Sequence, residues 1–310
     1  MADTRFGLYP AVLKPDGTPS NNIEIAQIDD DTFSPSASKS KYRPGGSLDL
    51  STVGLAFGEP MSQFGTCDLS TVLGNISPTV GLSLTNGAIF ARQKRANEST
   101  FVGDSTAEHI LYTSTKAFAC LDSFEVNQDD EQGAKVMASV FHLSSDGMTP
   151  PVTKTLAVIT GQPTPAYTSR FFMGHIDVNS VEVPGVTGYS IEYAKNYSLK
   201  RFNGDVFARL GSITFRDPTI RYRTTSGDLD AALNVFLNQV AGNMELYAYK
   251  EDVTAANGRA VLTNSVHVKH TADGEFSMDQ DSVSKEEDGS YGFTVNVTGT
   301  MAVSVAAAAA

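Results

Sequence analysis

Residues 291 to 305 read YGFTVNVTGTMAVSV. Tyr291, Phe293, Val295, Val297, Met301, Val303 and Val305 hold the odd positions, interrupted by Gly299, while Thr294, Asn296, Thr298, Thr300 and Ser304 fill the even positions around Gly292 and Ala302. Successive side chains of a strand point to opposite faces, so this period of two predicts one long strand with an apolar face and an uncharged polar face. At roughly 3.4 Å per residue it reaches about 50 Å, beyond the usual 17 to 20 Å. One face belongs in a core; the other is wet or paired with something.

The same period recurs upstream. In 259–271, Ala260, Leu262, Val266 and Val268 oppose Thr263, Ser265, His267 and Lys269, and in 219–225, Ile220 and Tyr222 oppose Arg221 and Arg223. Both predict half-buried antiparallel strands. Further β-rich runs lie at 88–93, 110–126, 134–143, 154–160, 171–183, 186–194, 206–215, 245–250 and 274–279. Among them stand Asp16-Gly17, Asn86-Gly87, Asp146-Gly147, Asn203-Gly204, Asn257-Gly258, Asp273-Gly274 and Asp288-Gly289, pairs that supply the positive φ angles of tight turns. The expected fold is mainly β, an antiparallel sandwich or barrel. One flanking helix is expected over about 228–241, where Leu229, Leu233, Phe236, Leu237 and Val240 recur at helical spacing between Asp228 and Gly242.

Residues 28–48, IDDDTFSPSASKSKYRPGGSL, mix acids, serines and basic residues without periodicity and predict a long loop or arm. The Pro-rich stretch GQPTPAYTS at 161–169 suggests a division near residue 165, into a β-rich part over 1–165 and a second unit over 166–310. A loop inside one larger sandwich is the competing reading.

The chain has 310 residues, 41% of them apolar, which is enough to bury a core. Twenty-three Lys and Arg against 35 Asp and Glu give a net charge of −12, which argues against a surface that grips nucleic acid or anionic lipid. The first residues lack the basic-then-apolar pattern of a secretion signal, and no run approaches the roughly 20 apolar residues of a membrane helix. Retention in the cytosol, without membrane insertion, is the expectation. Cys67 and Cys120, the only cysteines, are expected as buried free thiols.

Few residues of the sequence stand in patterns that carry chemistry. His267 and His270 are three apart, which in a strand sends the rings to opposite faces and not to one metal. His109, His142 and His175 stand alone. Asp29-Asp30-Asp31, Asp129-Asp130-Glu131 and Glu286-Glu287-Asp288 lack the spaced ligands and central glycine of a calcium loop and read as solvated turns. Lys94-Arg95 and Lys200-Arg201 either meet acids on a neighbouring subunit or form ordinary charged surface. Tyr189, Tyr193 and Tyr197 form an aromatic stripe suited to core or subunit packing. No catalytic, cofactor or metal residue is assigned.

Phe172-x-Gly174 enters a strand, a turn precedes Val181, Pro184-Gly185-Val186 opens a second strand, and Asn203-Gly204 is followed by Phe215, Pro218 and Ile220. With the SSDGMTPP loop before the Pro-rich connection, this order of signals over about residues 134–305 resembles the bacteriophage tail tube (major tail) proteins. The resemblance implies a β-sandwich with a flanking helix, assembled as six-membered rings that stack into a hollow tube, its inner β-barrel completed by oligomerisation. It implies a structural protein and not an enzyme, without a cofactor, assembled in the host bacterial cytoplasm and resident in the virion tail. Its partners would be copies of itself, a tape-measure protein, and tail completion and baseplate proteins, with DNA passing through without specific contact.

Under this resemblance Tyr291, Phe293, Val295, Val297, Met301 and Val303 are inter-subunit strand candidates, and the arm reaches a neighbouring ring through Phe33, Lys39, Lys41, Tyr42 and Arg43. An acidic bore would leave passing phosphates no cation to hold them. The first 130 residues have no counterpart in the resemblance. Two other classes stay open: a β-sandwich capsid or decoration protein, and a carbohydrate-binding or hydrolytic module. The absence of Trp counts against the last, since sugar platforms lean on aromatic faces.

Overall fold

The structure, a computed structural model, describes residues 6–8, 11–25, 28, 40–42, 52–54, 59–94, 108–128, 133–158, 170–193, 195–225, 241–251, 266–277, 283–285 and 291–306. It begins with β1 (Phe6–Leu8), β2 (Ala11–Leu13), β3 (Ile23–Ile25), β4 (Ser40–Tyr42), β5 (Thr52–Gly54) and β6 (Met61–Thr66). Helix α1 (Leu69–Asn75) leads into β7 (Leu82–Leu84), β8 (Ala88–Lys94), β9 (Glu108–Ser114), β10 (Ala117–Asn127), β11 (Lys135–His142) and β12 (Val152–Val158). There follow β13 (Phe171–Val178), β14 (Val181–Glu182), β15 (Val186–Glu192), β16 (Lys195–Lys200), β17 (Leu210–Arg216) and β18 (Thr219–Thr224). The last strands are β19 (Ala241–Lys250), β20 (His267–Ser277), β21 (Val283–Lys285) and β22 (Tyr291–Ala306).

The protein is mainly β, with large antiparallel sheets, as the alternation predicts. A smaller sheet runs β12-β9-β8-β2-β3, with β1 also on β8. The larger, of 12 strands, runs β14-β13-β19-β20-β22-β18-β15-β10-β11-β6, with β21 on β22 and β7 on β10. It joins strands from both sides of position 165 through the β10–β15 ladder. The position itself, and the expected helix over 228–240, lie outside the described residues; Ala241 begins β19.

The long sheet curls on itself. Phe124 of β10 and His270 of β20 are separated by β15, β18 and β22 in the strand order, yet their rings lie 4.6 Å apart. The Ala134 N–H donates to the Phe171 carbonyl, tying the start of β11 to β13. Inside the curl are the apolar residues of alternating strands, including Ile220, Tyr222, Phe293, Val295 and Val297. Each such side chain contributes about 1.5–3 kcal/mol when removed from water. The smaller sheet packs on this core through Leu13, Ile25 and Phe90, the last 5.9 Å from Phe64 of β6.

Residues 117–121, AFACL, are apolar on both faces, and all five are buried. The reason is a second layer. The β16–β17 hairpin lies over this part of the sheet, with Leu199 and Ile213 against Phe118, Cys120 and Phe141. A Cβ on Gly211 would come within 2.8 Å of Phe118, so the ribbon sits as close as a glycine permits. Helix α1 was not expected from the sequence. It has seven residues and no side-chain cap, and buries Leu69, Val72 and Leu73, so packing rather than propensity holds it.

Two expectations need correction. Asp273-Gly274 is no turn: β20 runs straight through it, with Gly274 opposite Gly299 of β22. The run 110–126 is two strands, β9 and β10, parted at Thr115 and Lys116.

Candidate functional site

Strand β22 is the element on which most of the architecture turns. Residues 291–296 pair with β18 on one side, and residues 296–306 pair with β20 on the other, without a register break. Val297 N–H donates to the Pro218 carbonyl, back toward β18. In an antiparallel strand both backbone groups of a residue point the same way and alternate along the chain. Gly299, Met301, Val303 and Val305 therefore direct N–H and C=O away from β20. Among the described residues no strand pairs with that side of 298–306. A cleft of about 290 Å³ opens there, between Met301, Ala302 and Val303 and the end of α1 with its following turn, Leu73 to Thr79.

The inter-subunit candidates divide by burial. Phe293, Val295, Val297 and Met301 are buried in this chain's own core, and Tyr291 and Val303 are half-buried against it. What β22 leaves for another strand is its backbone edge and a polar face without a full charge. Of the arm candidates, Lys41 and Tyr42 fall in β4, which pairs with β5, and Phe33, Lys39 and Arg43 lie outside the described residues.

The outer face of β13, β19 and β20 carries a polar aromatic network. Tyr249 Oη lies 2.8 Å from His175 Nδ1, and His175 Nε2 lies 3.3 Å from Asp177. The His175 ring stacks on Tyr247 at 4.3 Å, and Tyr247 donates to Glu245, which also takes a bond from Lys269. The Tyr–His–Asp order has the form of a relay, but burial pushes the Tyr249 phenol up, and Asp177 and Glu182 push it further. A phenol held protonated is a hydrogen-bonding group and not an activated nucleophile. The Glu245 carboxyl is held below its usual range by the bonds from Tyr247 and Lys269.

Two histidines are interior. His142 is buried with Nε2 2.7 Å from Ser62 Oγ, and His270 with Nε2 2.7 Å from Tyr193 Oη. Burial lowers them to about 4 and about 3. His267 is half-buried on the opposite face from His270, as spacing three in a strand requires. On the outer face of β10, β15, β18 and β22 a shallow groove of about 280 Å³ holds Arg221 and Arg223 among Gly188, Ser190, Gly292 and Thr294. Arg221 pairs with Glu192 in an exposed bridge, an arrangement of little energetic weight. Among the described residues no group of three or more His, Cys, Asp or Glu is placed to hold a metal ion.

Neither the His175 network nor the covering hairpin is legible in the sequence. His175 and Tyr249 are 74 residues apart, and nothing local in either strand marks the other. The chain matches no protein-family model, and comparison with curated proteins gives no match.

Proposed function

We propose that this chain is a structural virion protein, the subunit of stacked hexameric rings that form a phage tail tube for passage of genomic DNA. The observation that carries the reading is β22, a strand of 16 residues whose last part keeps one backbone edge unpaired among the described residues. A row of free donors and acceptors is a template for strand addition, and a ring of identical copies completes it. The side chains of Phe293, Val295 and Val297 are used within the subunit, so a neighbour is met through main-chain bonds that need no particular side chain. The net charge of −12 suits a channel that does not retain phosphates.

Partners under this reading are copies of the chain, with a tape-measure protein inside the growing tube and completion and baseplate proteins at its ends. Negative-stain electron microscopy with light scattering of the purified protein tests it. Rings or tubes with a central channel are expected; a monomer at all concentrations, or closed shells, would overturn it.

A further inference from the structure

We infer that the β16–β17 hairpin of one copy docks on the β13–β14 edge of a second copy, joining an aromatic basic ribbon to an acidic one. The inference rests on the self-assembling reading above and names a contact surface for it.

Among the described residues seven large apolar side chains are exposed, and four of them, Tyr197 (44%), Phe202 (53%), Leu210 (44%) and Phe215 (58%), lie on this hairpin. A fifth, Met148 (58%), stands beside its tip, where the Val206 and Phe207 N–H groups donate to the Gly147 carbonyl. Exposed apolar residues scattered singly need no explanation, but four on one ribbon, Tyr197 among them partly covered by Phe141 at 4.3 Å, with a fifth beside the tip, mark a contact surface. The ribbon is firmly built. Its inner side packs on the sheet, Arg209 bonds the Ser145 carbonyl, and Asp205 accepts the Phe202 N–H at 2.8 Å.

The charge of the ribbon is opposite to that of the chain. Residues 195–216 hold Lys195, Lys200, Arg201, Arg209 and Arg216 against Asp205 alone, whereas the chain as a whole is −12. Arg201 is engaged by Glu59, and Arg209 lies over the Phe202 ring. The exposed surface is thus aromatic and aliphatic, with the exposed Lys200 and Arg216 at its two ends. That composition favours a protein over a nucleic acid, which would need a longer row of free cations.

The complementary surface is on the same chain. Val181 is 51% exposed on β14, the terminal strand of the large sheet, beside the exposed Glu182. In register, Asp177 stands directly opposite Glu182 on one side and Glu245 on the other. Like charges facing across a ladder are destabilising. Lys269 answers Glu245 and His175 lies against Asp177; a cation on a partner would answer Glu182. The turn that presents these groups is held rigid: Asn179 and Ser180 adopt φ of 50° and 64°, and Asn179 is bonded to Asn243 both ways. Two different patches on one chain make a head-to-tail contact, the kind that closes rings or extends filaments.

Charge exchange tests this. One variant carries Lys200→Glu and Arg216→Glu, the other Val181→Lys and Glu182→Lys; all four positions are exposed, so circular dichroism and melting should match the wild type. Each variant alone should lose self-association by about a hundredfold in sedimentation velocity. An equimolar mixture should assemble again, because every hairpin then meets an edge of opposite sign. Wild-type-like assembly of either variant, or a mixture that stays monomeric, overturns the inference while leaving rings of the wild type intact. A wild type that never associates removes the broader reading as well. Loss of binding to a labelled single-stranded oligonucleotide in the first variant, with its assembly unchanged, would also overturn it and assign the hairpin to nucleic acid.

Discussion

Gly274 and Gly299 face each other across the β20–β22 ladder, so close that a Cβ on Gly299 would stand 2.1 Å from the Asp273 carbonyl oxygen. A Cβ on Gly274 would stand 2.4 Å from the Thr298 carbonyl oxygen, and Gly274 has φ of 148°. Both obstacles are backbone, which cannot swing aside as a side chain can. The pair lies just beyond the place, at Asn296 and Val297, where β22 leaves β18 behind and continues along β20 alone. Gly274→Ala and Gly299→Ala should each destabilise the fold by about 1–3 kcal/mol, read as lower midpoints in urea. Unchanged midpoints would mean that the two backbones are not in such close approach.

His142 and His270 make stability depend on pH in a window where carboxylates contribute little. Burial holds their folded values at about 4 and about 3, below the 6.5 of a free imidazole. The unfolded chain therefore takes up protons first as pH falls. Their contribution is complete above about pH 6.5 and declines toward pH 4, on the order of 3 kcal/mol for each ring. The melting temperature should fall between pH 7 and pH 5. In His142→Gln with His270→Leu the slope over that interval should flatten, whatever the change in stability at pH 7. An equally steep slope in the double variant would assign the dependence to other groups.

Cys67 and Cys120 are buried and are not joined in a disulfide. In the native protein neither should react with a thiol reagent within minutes, and denaturation should release two equivalents. Rapid native labelling of one thiol would place that residue at the surface.

How much of this was readable in the chain depends on the range over which each feature is specified. The faces of β18 and β22 were legible because alternation is local: Ile220, Tyr222, Phe293 and Val295 are all buried, and Arg221 and Arg223 exposed. Asn86-Gly87, Asp146-Gly147 and Asn203-Gly204 do turn with positive φ at the glycine. Asp273-Gly274 carries the same local signal, but an uninterrupted ladder from His267 to Ser277 overrides it. Helix α1 was hidden because a seven-residue LSTVLGN has no strong propensity and owes its form to the core beneath. The contact surfaces were least legible. The acid row Glu182, Asp177 and Glu245 comes from three strands, and only their register brings it together.

Proline substitution separates the two edges of β22. Val303 directs its N–H away from β20, whereas Ser304, one residue on, directs its N–H into the β20 ladder opposite Lys269. Proline has no N–H and is tolerated in a strand only where that group faces outward. Ser304→Pro should thus cost the isolated subunit about 1–3 kcal/mol through a lost ladder bond. Val303→Pro should cost the subunit little beyond the packing of a half-buried valine, about 1 kcal/mol. If a neighbour's strand adds along 298–306, however, Val303→Pro removes a donor from the middle of that new ladder. The expected result is a folded, well-behaved monomer that no longer forms rings by electron microscopy. Normal rings from Val303→Pro would show that this edge is not where copies meet, and would move the search to the hairpin and the acid row.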